Sequence, residues 1–541
     1  MGPTSTSTVA EQVGTLLAEL GVGHAFGVVG SGNFHVTNAL RSAGVPWAAA
    51  RHEGGATVMA DAYARTSGEV AVVTLHQGCG LTNALTGVTE AAKSRTPLLV
   101  LAAETAGSAV RSNFRVDQDA LARSVGAVPE RVHSAASAAA DVVRAYGICR
   151  DQRRTVVLNL PLDVQGAAAV SAPAPARTTW RAPRPDPASV AELARLLDGA
   201  QRPVFVAGRG ARGARVELEA LADRCGALLA TSAVAHGLFT GSPWSLGISG
   251  GFSTALAAEL ITDADLIVAW GASLTMWTTR HGVLTEHATL VQVDDTAEAL
   301  GAQRPITLGV LGDVGATARD ALEVAGKTGG YRSDAVAERL RTQSADVPDE
   351  VVGDRIDPRV LSAALDELLP AERTVAVDSG NFMGYPAAYL GVPDEAGFCF
   401  TQAFQSIGLG LATGIGAALA RPDRLPVAAC GDGGFLMGIS ELETAVRLGL
   451  GMVIVVYDDA GYGAEFHHFA GGDHTTVRFP DTDLAAIAAG YGCAAAVVRS
   501  TADLGVIPEW LAGPRDRPLL LDAKVTSDGP SWWLAEAFKG H

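Results

Sequence analysis

The sequence predicts an α/β protein made of three doubly wound parallel sheets. Helix-like segments alternate with short apolar runs along most of the 541 residues, which is typical of βαβ units. Alanine, valine and glycine dominate these runs, as expected of strands that are buried on both faces. A chain of this length is too long for one hydrophobic core, so three domains of ordinary size are expected.

Two stretches of different composition divide the alternation into three blocks. A Pro/Ala-rich stretch, residues 166–189, predicts an extended linker, and a polar stretch, residues 326–355, predicts a second connector. We therefore expect domains at residues 1–166, 188–326 and 350–541. The predicted strands include HAFGVV, EVAVVTLH, PLLVLAAE and TVVLNLP in the first block, PVFVAG, DADLIVAWG and TLVQVD in the second, and TVAVDSG, PVAACGD, MVIVVYDD and PLLLDAKV in the third. The outer two blocks are candidates for a duplication.

The charge and cysteine content argue against several classes of protein. With 58 acidic and 41 basic residues, the net charge of −17 disfavours nucleic acid or an anionic membrane as the main partner. The N-terminus lacks a basic segment followed by an apolar one, and no apolar run approaches the ~18–20 residues of a membrane span. The six cysteines include no CxxC pair, which favours reduced thiols over disulfides or a zinc site. A cytoplasmic location is expected.

Two neighbouring apolar runs of the third block end in carboxylates. PVAACGD ends at Asp432, and MVIVVYDD ends at Asp458 and Asp459. The segment between them, ISELETAVRLGL, has helical spacing, and Ser440 and Glu443 fit a capping box at its start. A strand–helix–strand unit returns parallel with a right-handed crossover, so Asp432 and Asp459 should emerge at the carboxyl edge of one sheet.

This pair of acids predicts a magnesium site beside a phosphate group. Mg²⁺ prefers oxygen ligands and usually completes its octahedron with phosphate and water. The glycines of GDGG let backbone N–H groups approach an anion at the start of the next helix. A lone strand-end aspartate more often caps a turn, but two of them placed by one βαβ unit favour a metal site.

The segment GDGGFLMGISELETAVRLGLGMVIVVYDDAGYG resembles the diphosphate-binding motif of the thiamine-diphosphate (ThDP) enzyme family, a GDG and a later Asn-Asn pair at matching spacing. The resemblance implies that Asp432, the side chain of Asp459 and the backbone carbonyl of Gly461 bind Mg²⁺. The cofactor-binding residues that it implies around them are Gly431, Gly433, Gly434, Phe435 and Tyr462. One departure is that Asp458-Asp459 replaces the Asn pair, which is expected to add negative charge beside the diphosphate.

Three further segments resemble the cofactor site of the family. RHEGGATVMADAYAR is similar to its HE-G-A…A-Y-A-R signature and implies that Glu53, at the start of a helix, activates the aminopyrimidine ring. FQSIGLGLATGIGAA implies that Ile407 wedges between the two rings of the cofactor. SGNF, after the strand TVAVD, resembles a second diphosphate-contacting loop with the residues Gly380, Asn381 and Phe382.

Three positions bear on the reaction. GVVGSGNF resembles the loop of benzoylformate decarboxylase that carries a substrate-binding serine, here Ser31. VTLHQGCG resembles the LHS segment of that enzyme, whose histidine transfers protons, here His76. DDAGYGAE resembles the segment of pyruvate decarboxylase in which a glutamate downstream of the Asn pair handles protons, here Glu465. A histidine titrating near neutrality and a glutamate in a cleft both suit proton donation.

The chain as a whole resembles acetolactate synthase in its block lengths, HEGGA and GLTNALTGVTEA. The implied function is ThDP- and Mg²⁺-dependent decarboxylation of a 2-oxo acid. The product is an aldehyde, or a 2-hydroxyketone made with an aldehyde or a second 2-oxo acid. The flavin-binding Arg and Asp pattern of that family is not evident in GASLTMWTTRHGVL, which argues against FAD. Family members hold the cofactor between the first block of one subunit and the third of another, which implies a homodimer or homotetramer.

Two alternatives remain open from the sequence. GRGARG, with Gly208, Gly210 and Gly213 after the strand PVFVAG, fits the dinucleotide fingerprint of an NAD-dependent oxidoreductase. However, no clear acid for the ribose follows the next strand, and this interpretation leaves both flanking blocks unexplained. The chain could also be a non-catalytic family member, although it retains both Glu53 and the acid pair.

Overall fold

The computed structural model describes residues 7–170, 176, 180–343, 347–348, 353–527, 529 and 531–537. The middle of the predicted linker and the predicted domain boundary at residue 350 lie outside these residues. Within them, eighteen strands form three six-stranded sheets, and all paired strands are parallel. The predicted α/β fold with three parallel sheets is confirmed. The sheets fall within the three predicted domain ranges, whose exact limits stay predictions.

The first domain carries one sheet and seven helices in its described residues. The strands are β1 (His24–Gly27), β2 (Trp47–Ala49), β3 (Ala71–Leu75), β4 (Leu98–Glu104), β5 (Val128–Arg131) and β6 (Val156–Pro161). The helices are α1 (Val9–Glu19), α2 (Phe34–Ser42), α3 (Glu53–Ser67), α4 (Cys79–Lys93), α5 (Gln118–Ser124), α6 (Ala138–Asp151) and α7 (Leu162–Gln165). The strand order is β2-β1-β3-β4-β6-β5, so the chain reverses direction across the sheet between β1 and β3.

The central domain has a different strand order. Its strands are β7 (Pro203–Ala207), β8 (Leu228–Thr231), β9 (Ser245–Ile248), β10 (Leu266–Trp270), β11 (Thr289–Asp294) and β12 (Leu308–Leu311). Its α-helices are α8 (Pro187–Gly199), α9 (Arg215–Cys225), α10 (Ala255–Thr262), α11 (Met276–Thr279), α12 (Val314–Val324) and α13 (Asp334–Thr342). Short 3₁₀ helices cover Arg209–Ala211, Ala233–Ala235, Arg280–Thr285 and Ala297–Ala299. The order β12-β11-β10-β7-β8-β9 is that of a Rossmann fold, with the reversal between β7 and β10.

The third domain repeats the strand order of the first. Its strands are β13 (Arg373–Val377), β14 (Phe398–Phe400), β15 (Leu425–Gly431), β16 (Val453–Asp458), β17 (Ala494–Val498) and β18 (Leu519–Lys524). Its helices are α14 (Pro358–Leu368), α15 (Gly384–Tyr389), α16 (Gly410–Ala420), α17 (Asp432–Gly438), α18 (Glu441–Arg447), α19 (Gly463–His468), α20 (Leu484–Tyr491), α21 (Val506–Ala512) and α22 (Trp532–Ala537), with a 3₁₀ helix at Thr501–Gly505. The order β14-β13-β15-β16-β18-β17 places its reversal between β13 and β15.

One apolar cluster joins the first and third domains. It contains Val73 from the first sheet and Ile454 from the third, and helices α3 and α16 pack against each other within it. The helices approach so closely that a Cβ atom on Gly416 would lie 2.2 Å from the carbonyl oxygen of Met59. A glycine is therefore needed at this contact. The outer faces of the two sheets have clusters of their own, as do both faces of the central sheet.

Two local predictions are wrong. The predicted capping box does not form, because Ser440 has helical backbone angles and caps no helix, while Glu443 pairs with Arg51 and Arg447. The polar stretch predicted as a connector contains helix α13, which packs on the central domain through Val336 and Leu340. Its two apolar residues are hard to recognise among the charges of DAVAERLRT.

Two further observations concern whole-chain properties. None of the described helices combines the length and hydropathy that crossing a membrane requires. All six cysteines are free thiols; Cys79 is exposed and the other five are buried.

Candidate active site

The carboxyl ends of β13, β15 and β16 open onto a cavity of about 1160 Å³. The residues predicted from sequence that line it are Gly380, Asn381, Phe382, Ile407, Gly431, Asp432, Gly433, Gly434, Asp459, Gly461, Tyr462 and Glu465. Among the site residues predicted in the third domain, Phe435 is the exception, because its side chain is buried in the cluster between the first and third domains. The cavity lies at the chain reversal of the third sheet, where open α/β sheets bind ligands.

Asp432 and Asp459 face this cavity in an environment that disfavours their negative charge. Burial, together with the charges of Asp459 and Asp458, raises the pKa of Asp432 to about 8. Burial also raises the pKa of Asp459 to about 6, although the Ser527 hydroxyl donates a 3.3 Å hydrogen bond to it. A divalent cation between two such carboxylates would stabilise both.

The donor set available for a cation is small. Among the described residues, no group of three or more His, Cys, Asp and Glu side chains is placed to hold a metal ion. Two carboxylates and the backbone at Gly461 therefore fit Mg²⁺ rather than zinc, since Mg²⁺ takes its remaining ligands from water and phosphate.

Two glycines of the GDGG segment make room for the side chains that shape the cavity. A Cβ atom on Gly433 would lie 2.5 Å from the ring of Tyr462, and one on Gly434 would lie 2.6 Å from Oδ2 of Asp378. Any larger residue would displace these neighbours. Because Gly433 and Gly434 have no side chains, the backbone at the start of α17 lines the cavity directly, as an anion site at a helix start requires.

Asp378, just after β13, holds a loop that lines the cavity and was not predicted from the sequence. Its buried carboxylate accepts hydrogen bonds from the backbone N–H groups of Ser379, Gly408 and Leu409 at 2.8, 3.0 and 3.1 Å. Burial raises its pKa to about 6. Asp378 thereby fixes the loop that carries Ile407. Its position after the run TVAV is the signal that could have identified it, because the other strand-end acids have the same pattern.

Asp458 does not line this cavity, whereas Asp459 does, so the added negative charge expected beside the diphosphate stays a prediction that rests on Asp459. Its Oδ2 accepts a hydrogen bond from Nζ of Lys524 at 2.6 Å, inside the protein. The first carboxylate of the pair, that of Asp458, is therefore paired with a lysine that lies next to it across the sheet.

The three catalytic residues predicted in the first block lie at the carboxyl edge of the first sheet. Oγ of Ser31, after β1, lies 3.4 Å from Nε2 of His76, which follows β3. Glu53 begins helix α3 as predicted, and its Oε2 accepts a hydrogen bond from the Asn83 side chain at 3.1 Å. Ser31 and His76 flank the chain reversal of this sheet, so the first and third sheets use equivalent positions.

Two buried glutamates connect these regions and were also missed. Glu441 accepts hydrogen bonds from the backbone N–H groups of Arg51 and His52, at 3.1 and 2.9 Å, just before Glu53. The other is Glu90, which accepts hydrogen bonds from the backbone N–H groups of Ala403 and Phe404 at 3.1 and 2.7 Å. Sequence spacing alone could not identify either glutamate, because the partners of each lie hundreds of residues away in the chain.

The two sets of predicted residues do not meet within one chain. Ser31, Glu53 and His76 are absent from the lining of the cavity that contains Asp432 and Asp459. The described chain thus carries two separate groups of candidate residues: a glycine-lined cavity with paired acids, and a group with Glu53, His76 and Ser31.

A second cavity, of about 450 Å³, lies at the chain reversal of the central sheet. Gly208 of the GRGARG segment is needed for packing, since a Cβ atom there would lie 2.2 Å from the carbonyl oxygen of Gly271. The following strand β8 ends in Thr231 and Ser232, without the acid of a dinucleotide site. The residues that line both cavities are Trp277, Met383, Gln402 and Gln405.

The fold is that of thiamine pyrophosphate enzymes, and the chain belongs to that family. Models of its three domains match in order: the N-terminal TPP binding domain at residues 7–123, the central domain at 190–321 and the C-terminal TPP binding domain at 378–523.

Similar curated proteins span several activities. A putative acetolactate synthase large subunit of Mycobacterium tuberculosis is 30% identical over 482 residues, covering 84% of this chain and 86% of that protein. A sulfoacetaldehyde acetyltransferase of Rhodobacter capsulatus is 28% identical, and the match covers 85% of this chain and 83% of that protein. A probable 2-ketoarginine decarboxylase of Pseudomonas aeruginosa is 29% identical, covering 93% and 91%.

Proposed function

We propose that this protein is a ThDP- and Mg²⁺-dependent enzyme that decarboxylates a 2-oxo acid and either releases an aldehyde or joins the remaining fragment to a second carbonyl compound. The observation that carries the proposal is the cavity at the β13/β15 reversal, where Asp432 and Asp459 lie beside the glycines at the start of α17. Both features suit a magnesium diphosphate.

Each residue of this half has a role in holding the cofactor. Asp432, Asp459 and the carbonyl of Gly461 would bind Mg²⁺, and the backbone at Gly433 and Gly434 would donate to the diphosphate. Ile407, fixed through Asp378, would support the bend between the two rings. When bound, the thiazolium accepts the electron pair that a 2-oxo acid releases on losing CO₂.

The residues of the first domain would move protons and orient the substrate. Glu53 would hold a proton at the ring nitrogen of the aminopyrimidine, oriented by Asn83. His76, with Ser31 3.4 Å away, is placed to exchange a proton with the substrate, and the Ser31 hydroxyl is exposed for a substrate oxygen. Glu465, on the cofactor side of the cavity, would be the second proton donor.

A second copy of the chain is proposed to complete the site. Exposed apolar side chains lie beside each half: Val29, Phe34 and Phe114 near Ser31 and His76, and Phe404, Leu436 and Met437 near the cavity. Such patches mark interaction surfaces. A homodimer, or a tetramer made of two dimers, would bring Glu53 of one chain to the cavity of the other.

The relatives suggest which substrates to test. An acetolactate synthase, an acetyltransferase acting on sulfoacetaldehyde and a 2-ketoarginine decarboxylase share this architecture, so donor and acceptor are open within one chemistry. The experiment is a panel of pyruvate, larger 2-oxo acids and 2-ketoarginine, each with and without sulfoacetaldehyde or another aldehyde, analysed for CO₂, aldehyde and 2-hydroxyketone.

We expect CO₂ from at least one donor, and only when ThDP and Mg²⁺ are both present. Glu53→Gln should abolish turnover and leave ThDP binding intact, because the amide cannot hold the proton but fills the same space. Unchanged turnover of this variant would refute the role of Glu53. Absence of CO₂ from every donor would refute the decarboxylase and point to cleavage of preformed 2-hydroxyketones.

A further inference from the structure

A buried lysine lies behind the metal-binding turn. Lys524, at the end of β18, pairs across the sheet with Asp458 at the end of β16. Its side chain is 3% exposed, and Nζ lies 2.6 Å from Asp458, 2.8 Å from Asp481 and 3.0 Å from Asp522. Nζ also donates to the carbonyl of Thr482 at 2.7 Å. A buried ammonium needs such partners, and Asp458 is the one that precedes the turn carrying Asp459 and Gly461.

Asp458 transmits this contact to the turn that follows it. Its Oδ1 accepts a hydrogen bond from the backbone N–H of Ala460 at 2.9 Å. Ala460 has a φ of +58°, a left-handed conformation that a residue with a side chain adopts only when its surroundings hold it. The Arg355 guanidinium donates to the Asp458 carbonyl at 2.8 Å. With Asp458 fixed in this way, Asp459 and Gly461 line the cavity.

We propose that Lys524 is a positioning residue for the metal-binding turn, and that its charge allows an aspartate to occupy position 458. The inference rests on the proposed function of the cavity. Without the ammonium, Asp458 would leave an unpaired charge next to Asp459, and the Asp458 carboxylate would turn away from Ala460 to seek another partner. Both changes would weaken binding of an anionic cofactor.

The experiment measures ThDP affinity at a fixed, saturating MgCl₂ concentration through tryptophan fluorescence, because Trp277 and Trp532 line the cavity. The Tm of each protein without ligand is measured in parallel. Lys524→Met should weaken ThDP binding about tenfold or more, the range seen for residues that orient metal ligands. The double variant Lys524→Met/Asp458→Asn should regain affinity to within about threefold of wild type, the spread of neutral substitutions.

Asp481→Asn is the matched control. It removes another partner of Lys524, half-exposed and outside the turn, so ThDP affinity should stay within about threefold of wild type. If Lys524→Met does not fold, Asp458→Ala and Asp458→Asn decide: only the alanine variant should lose about tenfold in affinity, since asparagine can still accept from Ala460.

The possible failures are distinguishable. Wild-type ThDP affinity in Lys524→Met, or a double variant as weak as the single one, overturns this inference and leaves the proposed function intact. A wild-type protein that binds no ThDP in the presence of Mg²⁺ overturns both.

Discussion

At the scale of single residues, the two adjacent aspartates at the end of β16 have different surroundings. Asp459 faces the cavity with Asp432, whereas Asp458 faces inward to Lys524. Strand alternation explains the difference, since consecutive side chains of an extended segment point to opposite sides. The sequence motif identifies Asp459 because its partner Asp432 precedes it at a fixed spacing. It does not identify Lys524, which is sixty-six residues away and becomes a neighbour only when β18 pairs with β16.

The proposed metal site predicts different results for two changes at Asp459. Asp459→Asn should retain Mg²⁺-dependent ThDP binding, because an amide oxygen is still a hard ligand. Asp459→Ala should lose about tenfold or more in ThDP affinity. Both variants should have an unliganded Tm equal to or above that of wild type, because each removes one of two like charges that are buried near each other. Equal affinity of the alanine and wild-type proteins, measured by titration, would show that Asp459 is not a ligand.

His24, at the start of β1, predicts an acid-sensitive contribution to stability. Burial lowers its pKa to about 4 from an ordinary 6.5. As the pH falls from 6.5 to 4, the unfolded chain binds a proton that the folded protein does not, so stability present above pH 6.5 is lost. The loss by pH 5 is about 2 kcal/mol from this group. His24→Phe, which preserves the ring contact with Phe26, should therefore show a smaller fall in Tm between pH 7 and pH 5 than wild type.

The Tm of each protein at lower pH is compared with the Tm of the same protein at pH 7. This comparison cancels any effect of the substitution on packing that does not depend on pH. Parallel Tm curves for wild type and His24→Phe would show that His24 is protonated in the folded protein.

At the scale of elements, the strands that the sequence identifies are interior ones. Strands such as β3, β10 and β16 are buried on both faces and give continuous apolar runs. The edge strands β2, β5, β9, β12, β14 and β17 were not predicted. They have three to five residues, too few for a clear apolar run, and β5 and β9 also carry polar or charged positions. The interior strand β8 was also missed, since four residues give too short a pattern.

The contact between α3 and α16 predicts opposite effects for two similar substitutions in helices. Gly416→Ala should destabilise the protein by about 1–3 kcal/mol, because its Cβ would overlap the backbone of Met59. Gly490→Ala, in α20 with no atom within 4 Å of the new methyl group, should stabilise by roughly 0.5–1 kcal/mol. Thermal unfolding compares the two. A neutral Gly416→Ala would mean that the helices separate easily at this point.

At the scale of the whole molecule, the outer domains share one strand order and place their candidate residues at equivalent sheet reversals. This supports the duplication considered from the sequence. The local motifs of each half were recognisable in the sequence. Their separation within one chain was expected only through the family resemblance, because it depends on how α3 and α16 pack.

Complementation tests whether each site needs two chains. Glu53→Gln and Asp432→Ala should both be inactive alone. If the site lies between subunits, co-assembled variants should recover roughly a quarter of wild-type activity, since half of randomly formed dimers are mixed and each contains one intact site. Mixing two preparations of Glu53→Gln is the control and should recover nothing. No recovery from the mixed variants would place both halves in one chain.

The cavity of the central domain and the cavity proposed for the cofactor share four lining residues, Trp277, Met383, Gln402 and Gln405. A substitution at any of these four residues changes the shape of both cavities, because the same side chains line both. A substitution at Trp277, which lies in the central domain, would therefore change the proposed cofactor cavity while Asp432 and Asp459 stay unchanged. The shape of that cavity can then vary independently of the two acids that are proposed to bind the metal.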